Sequence, residues 1–380
     1  MIEPVALEDR TAEVLRMLEE QRASVLYVTG TCGVGKSTLG TRVGQVLAEH
    51  LGEPFWAIDL CHAPPAFALA QQVAQMLGRS SPVAGDSRGV LLLDNVDVAM
   101  TGNGLLSGGP GLWPTAVVAG LNPPRLLIVT STPRSGSSRV QNWEVGPLGL
   151  PASPGGELSV LISDAGALFL RAARHRGADW NVDERAYPLV EALCRQAMGV
   201  PEALIELAEL SVRIPLEVMA AASSTQLAGF LDDAGSAYLR KVRERFASMP
   251  GAVRELHVAL SLLDGTVESE VGLTLARALG GQREGLLLWR DAVLAGVLMS
   301  TSVGGGLYFG MPQLVRAVAA EWLVDSERGQ QLRQICGRLR VMSSTCHGER
   351  FLTSVDDFES DLRSVGDRNK LAQNPMRSHG

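Results

Sequence analysis

Residues 30–37 read Gly-Thr-Cys-Gly-Val-Gly-Lys-Ser and fit the pattern G-x-x-x-x-G-K-[S/T]. The apolar run Ser24–Thr29 enters the segment as a strand, and a helix leaves it from about Lys36 to His50. A glycine-rich loop set between a buried strand and a helix folds into a concave nest whose N–H groups point at an anion. The helix N-terminus adds a partial positive charge at the same place. Lys36 is a compact ammonium that suits a phosphate chain where a bulkier guanidinium fits poorly. Only Lys36, Lys241 and Lys370 are lysines among 34 basic residues, so a lysine at 36 is a specific requirement. Ser37 offers a hydroxyl to a divalent cation. The phosphate-binding set is therefore Gly30, Cys32, Gly33, Val34, Gly35, Lys36, Ser37 and Thr38. A ligand-free glycine turn is the competing reading, and it leaves the lysine unexplained.

More apolar runs follow: PFWAIDL ending at Asp59, GVLLLD at 89–94, RLLIVT at 125–130, and Trp143–Val145 closing a fifth strand. They alternate with helical patterns at 8–21, 36–50, 65–78 and 112–120, and residues 101–111 form a glycine-rich loop. This predicts an α/β fold, a parallel sheet with helices on both faces. Asp94 ends an apolar strand, so its carboxylate emerges at the C-terminal edge of the sheet, beside the phosphate loop. Ser37 and Asp94 are the expected magnesium-binding pair. A simple turn cap is the alternative for Asp94. Asp97 is the carboxylate offered for positioning water, and Asn95 cannot act as a base. Hydrolysis is therefore expected to be slow at most. Thr130, which ends the fourth strand, is placed to touch the terminal phosphate, and Arg134 or Arg139 to sense its charge; a polar loop with solvated arginines reads equally well.

The pattern changes near Pro147, where PLGLPASPGG connects to helices over 163–222. Leu227–Asp233 reads as a hinge. About four helices follow over 234–323, interrupted by VLMSTSVGGGLYFG (297–310), a hairpin, which makes a winged-helix order. The expected domains are 1–150, a phosphate-loop domain; 151–230, a small helical domain; 231–325, a winged helix; and 326–380, a helical linker with a frayed tail. The net charge is −7, which argues against binding DNA through a global positive field. The basic stretch YLRKVRERF (238–246) fits a solvated helix face. The first residues do not form a signal peptide, and no apolar run is long enough to span a membrane. Five widely spaced cysteines without a CxxC fit reduced thiols, hence a cytoplasmic protein. Cys61–His62 and Cys346–His347 lack further ligands at metal spacing.

Together, the phosphate loop, LLLDNVD (91–97), LLIVTST (126–132), VGPL (145–148), SDAGALFLRAA (163–173) and MGVPEALIELAEL (198–210) resemble the STAND class of signal-transduction NTPases. The likeness is to the NB-ARC-like modules of LuxR-type and antibiotic-regulatory-protein-type bacterial regulators, over about residues 5–325. Gly199-Val200-Pro201 carries the family's GxP element. The resemblance implies a nucleotide held between the sheet domain and the helical domains, with Pro201 against the adenine. Starting a helix at its first position is the alternative role for that proline. The segment near Asp9 and Arg10 resembles the one that lines the base pocket. Two departures stand out. The family's arginine as third residue after the fourth strand is Thr132 here, and its Met-His-Asp motif is Met311-Pro312-Gln313.

The resemblance thus implies an ATP/ADP-binding switch using Mg²⁺, with weak ATPase activity, whose nucleotide state governs self-association or binding of a protein partner in a bacterial regulatory pathway. A non-hydrolysing, nucleotide-bound scaffold and a phosphate-loop small-molecule phosphotransferase are the alternatives.

Overall fold

The apolar runs form the middle of one parallel sheet: β1 (Val25–Thr29), β3 (Val90–Asp94) and β4 (Leu126–Ser131). Strands β2 (Phe55–Asp59) and β5 (Val140–Glu144) lie at its edges, giving the order β2-β3-β4-β1-β5. All four pairings are parallel. All five residues of β1 are buried, as expected where helices cover both faces. The computed structural model describes residues 6–21, 23–60, 89–96, 126–131, 140–152, 156–178, 185–263, 265–323 and 329–337. The predicted helices at 65–78 and 112–120, the loop at 101–111 and the chain after residue 337 lie outside them.

Among the described residues, two helices pack on the sheet. Val14 and Leu18 of the helix Leu7–Gln21 join Leu39 and Val43 of the helix Lys36–Leu51 in one core with Leu26 and Ile128. The chain crosses from β1 to β3 and returns to insert β4 between them. The ends of β1, β4, β3 and β2 therefore open side by side along one edge, with Asp59 and Asp94 paired in register.

Beyond the sheet the chain is helical: Glu157–Ile162, Asp164–His175, Ala186–Gln196, Pro201–Leu210, Leu216–Ala221, Ser224–Asp233 and Ala237–Ser248. Leu227–Asp233 is helix and not a hinge. Ser223 and Gln226 form a capping box that starts it, and Leu227, Ala228 and Leu231 are buried.

The chain divides into two units, residues 1–244 and 245–380, within the helix Ala237–Ser248. In the second unit the helix Gly251–Ser261 is followed by β6 (Thr266–Glu268), the helices Ser269–Gly280 and Gln282–Leu294, the hairpin β7 (Met299–Val303) and β8 (Gly306–Gly310), and the helix Gln313–Glu321. The antiparallel order β6-β8-β7 completes a winged helix. Arg316 ties its parts together, donating to the carbonyls of Met311, Ser261, Leu263 and Gly265. No helix among the described residues is long and apolar enough to cross a membrane.

His257 lies at the centre of this unit, fully buried, with Nδ1 at 2.8 Å from the Val253 carbonyl and Nε2 at 3.1 Å from that of Ala292. Burial holds its pKa down, to about 4, against the opposing pull of the two carbonyls; the Arg245 charge lowers it further. The unfolded chain therefore takes up the proton first. The stabilisation from keeping the ring neutral is complete above pH ~6.5 and fades as pH falls through 4, a swing of about 3 kcal/mol. Thermal melts of the wild type should show a midpoint falling between pH 6.5 and 4.5. His257→Gln, with no group titrating in that window, should be less stable at pH 7.5 and flatter below it. Parallel pH profiles for the two proteins would refute this role.

Candidate functional site

The phosphate loop leaves β1 at Gly30 and closes at Gly35, whose left-handed backbone (φ +99°) starts the helix Lys36–Leu51. No side chain caps that helix, so its first-turn N–H groups lie at the loop without an intrahelical acceptor. Lys36 folds back across the loop, and Nζ donates to the carbonyls of Gly30 at 3.0 Å and Thr31 at 2.9 Å. A phosphate oxygen would replace a neutral carbonyl with a stronger, charge-assisted partner.

Ser37 projects from the first turn toward the ends of β3 and β4. Its Oγ donates to Asp94 Oδ1 at 2.9 Å. The Asn95 N–H donates to the same oxygen at 3.1 Å, and Thr130 Oγ1 donates to it as well. The Asn95 N–H also reaches Thr130 Oγ1 at 2.9 Å. The turn that allows this puts Asn95 at φ +58°, a left-handed conformation that asparagine tolerates better than most residues. Its side chain then reaches sideways, and Nδ2 donates to Asp59 Oδ1 at 2.8 Å. The sequence-predicted residues Lys36, Ser37, Asp94 and Thr130 are thus gathered at one sheet edge. A serine hydroxyl bonded to a carboxylate, both half-buried, is an oxygen donor pair suited to Mg²⁺. Together with the lysine and the open helix N-terminus, the donor set fits a magnesium–polyphosphate.

The helices that follow the sheet close over the loop. Glu202 N–H donates to the Gly33 carbonyl at 3.2 Å, tying the start of the helix Pro201–Leu210 to the loop. Pro201 occupies the opening position of that helix, where its missing N–H costs nothing. A side chain on Gly33 (φ +75°) would begin 2.8 Å from the Tyr238 ring and 3.1 Å from Val200. Tyr238 is fully buried. Burial, then the nearby Cys32, Glu202 and Glu206, push its hydroxyl well above the ordinary tyrosine range. Glu206 accepts from Tyr238 N and Ser236 Oγ, and Glu202 pairs with Lys241 at 2.6 Å. The basic stretch 238–246 is therefore only partly a solvated face, since Tyr238, Leu239, Val242 and Phe246 turn inward.

A second tie runs along 145–149. Arg10 donates to the carbonyls of Gly146 at 3.2 Å and Pro147 at 3.1 Å. Leu148 N–H donates to Gly199 O at 2.9 Å. The VGPL and GVP elements, far apart in sequence, are thus hydrogen-bonded neighbours.

Asp97, Thr132, Arg134 and Arg139, and the pairs Cys61–His62 and Cys346–His347, lie outside the described residues. Among the described residues no group of three or more His, Cys, Asp or Glu is arranged to hold a metal. Cys32, Cys194 and Cys336 are not in disulfides, and burial pushes the Cys194 thiol up to about 12. Sequence reasoning assigned no role to Asp59 or Tyr238. Asp59 ends its strand just as Asp94 does, a signal within reach, whereas nothing local marks Tyr238.

No protein-family profile matches the chain. It is similar to uncharacterized proteins of Mycobacterium bovis and Mycobacterium tuberculosis, 26% identical over 223 residues, which is 55% of this chain and 51% of theirs. The chain thus spans about half the length of the curated relatives it matches. Among solved structures, Drosophila ORC bound to DNA matches with a TM-score of 0.37 at 13% identity, over 85% of this chain and 88% of that one. Cdc6p from Pyrobaculum aerophilum matches with a TM-score of 0.31 at 12% identity, over 86% and 94%. The strand order β2-β3-β4-β1-β5, a phosphate loop leaving β1 and an aspartate ending β3 make a P-loop-type α/β fold, followed by helices and a winged helix.

Proposed function

We propose that the chain is an ATP/ADP-binding switch of the STAND type, with slow hydrolysis at most. Lys36 and the backbone of Gly30, Cys32, Gly33, Val34, Gly35, Ser37 and Thr38 hold the phosphates, and Ser37 and Asp94 hold Mg²⁺. The bound cation neutralises phosphate charge. Thr130 keeps the Asp94 carboxylate turned toward Ser37, and Pro201 faces the base. The observation that carries the reading is the direct seating of Val200 and Tyr238 on Gly33, with Glu202 N–H bonded to the same residue. Whatever displaces the loop backbone must also move two helices, so a terminal phosphate has a differential contact through which to bias conformation. Asp97 stands as the carboxylate that the sequence offers for positioning water, a role for which the fold also supplies Asp59; Arg134 keeps the sensing role expected from sequence, and the domain limits stay 1–150, 151–230, 231–325 and 326–380.

The output is self-association or binding of a protein partner. Light scattering on the full chain with Mg·ATP, Mg·ADP and no nucleotide should give different hydrodynamic sizes for the first two states. Equal sizes, with both nucleotides bound, would favour the scaffold reading, in which nucleotide serves stability alone.

A further inference from the structure

The residue after Asp94 is an amide, so hydrolysis at this site lacks a carboxylate at that position. The tertiary structure supplies one from the next strand. Asp59 ends β2, pairs in register with Asp94, and is the acceptor of the Asn95 side chain at 2.8 Å. In parallel pairing, residues in register project to the same face of the sheet, so the Asp59 and Asp94 carboxylates stand side by side at the edge where Ser37 arrives. Asp59 is exposed, which gives water access to it, while Asp94 is half-buried and receives Ser37, Thr130 and the Asn95 N–H. The two carboxylates thus sit in different surroundings. One is fixed by three donors beside the phosphate loop, and the other is exposed and accepts the Asn95 amide. The left-handed turn at Asn95 places that amide between them.

We propose that Asp59 is the carboxylate that orients the attacking water, and that Asn95 is the residue that positions it. The proposal rests on the nucleotide-binding reading above and adds the residue responsible for turnover. Asp59 accepts a hydrogen bond from water and directs the oxygen lone pair at the terminal phosphorus. The new oxygen–phosphorus bond forms as the bond from that phosphorus to the bridging oxygen breaks. The bridging oxygen keeps the electron pair and leaves on ADP, and both water protons end on the released phosphate as dihydrogen phosphate. Only ATP and water are consumed, and the bound cation is unchanged by the step. Asn95 Nδ2 spends one carboxylate lone pair, which makes Asp59 a weaker acceptor and fits slow turnover.

The test uses the full chain in four forms: wild type, Asp59→Asn, the exchange Asp59→Asn with Asn95→Asp, and Asp97→Asn. Affinity for Mg·ATP is measured by titration, and phosphate release in a single turnover. Asp59→Asn keeps an oxygen acceptor for the Asn95 amide, so fold and affinity should be unchanged while turnover falls about 100-fold, the scale of a positioned acid–base group. The exchange returns a carboxylate to the same pair and should recover at least tenfold of the loss, a rescue that a structural role would not produce. Turnover of Asp59→Asn within twofold of wild type, or an exchange that recovers nothing, overturns the proposal and leaves the binding reading intact. So does a loss seen only with Asp97→Asn, or a wild type that binds Mg·ATP and releases no phosphate. A wild type that binds no Mg·ATP instead fails at the titration and overturns the site assignment itself.

Discussion

Lys36→Ala should weaken ATP binding by about 100-fold or more. The ammonium is the one side-chain cation of the motif, and its bonds to phosphate oxygens are charge-assisted, worth about 1.5–3 kcal/mol each. In the free loop the same group donates to the carbonyls of Gly30 and Thr31, neutral partners that a phosphate outcompetes. Titration calorimetry with Mg·ATP measures the loss, and circular dichroism checks that the fold is kept. Lys36→Arg should fail nearly as badly. The guanidinium is too wide for the nest, and a chain that uses arginine at 31 of its 34 basic positions has kept lysine here. Normal ATP affinity in Lys36→Ala would mean that the loop is not the phosphate site.

Gly199→Ala should be strongly destabilising. The residue sits at φ +70°, and a Cβ there would lie 2.3 Å from the Leu148 carbonyl oxygen. That oxygen cannot retreat, because the Leu148 N–H is itself bonded to the Gly199 carbonyl. Left-handed strain of about 1–2 kcal/mol adds to a clash between two backbones. A loss of about 3 kcal/mol or more is expected, lowering the thermal midpoint by roughly 10 °C. Because the same turn carries Val200 onto Gly33 and opens the helix at Pro201, ATP affinity should fall with it. Gly229→Ala is the control of opposite sign. That glycine is inside the helix Ser224–Asp233 with open space where the methyl would go, so stability should rise by about 0.5–1 kcal/mol. Equal behaviour of the two variants would refute the close approach at Gly199.

The strand ends tell how far the sequence could be read. Apolar runs ending in Thr29, Asp94 and Thr130 announced buried parallel strands, because a strand covered on both faces has no reason to alternate. The hairpin around Gly304-Gly305 was visible for the opposite reason, a glycine turn between two short strands. Leu227–Asp233 misled: reading it as a hinge ignored the capping box at Ser223 and Gln226, a local signal present in the chain. Tyr238 could not be found at all. It lies 205 positions from Gly33, in a stretch whose charges suggested a solvated face.

The sequence by itself determined the phosphate loop, the lysine and the serine–aspartate pair. Each depends on residues close in the chain and on backbone conformations that only certain residue types adopt. Only the tertiary structure decided what surrounds them. Inserting β4 between β1 and β3 brings Thr130 to Asp94, pairing β2 with β3 brings Asp59 to Asn95, and helical packing lays Tyr238 and Val200 on Gly33. These contacts join residues tens to hundreds of positions apart. They follow from burying whole faces of sheet and helix together, a requirement that no local pattern encodes.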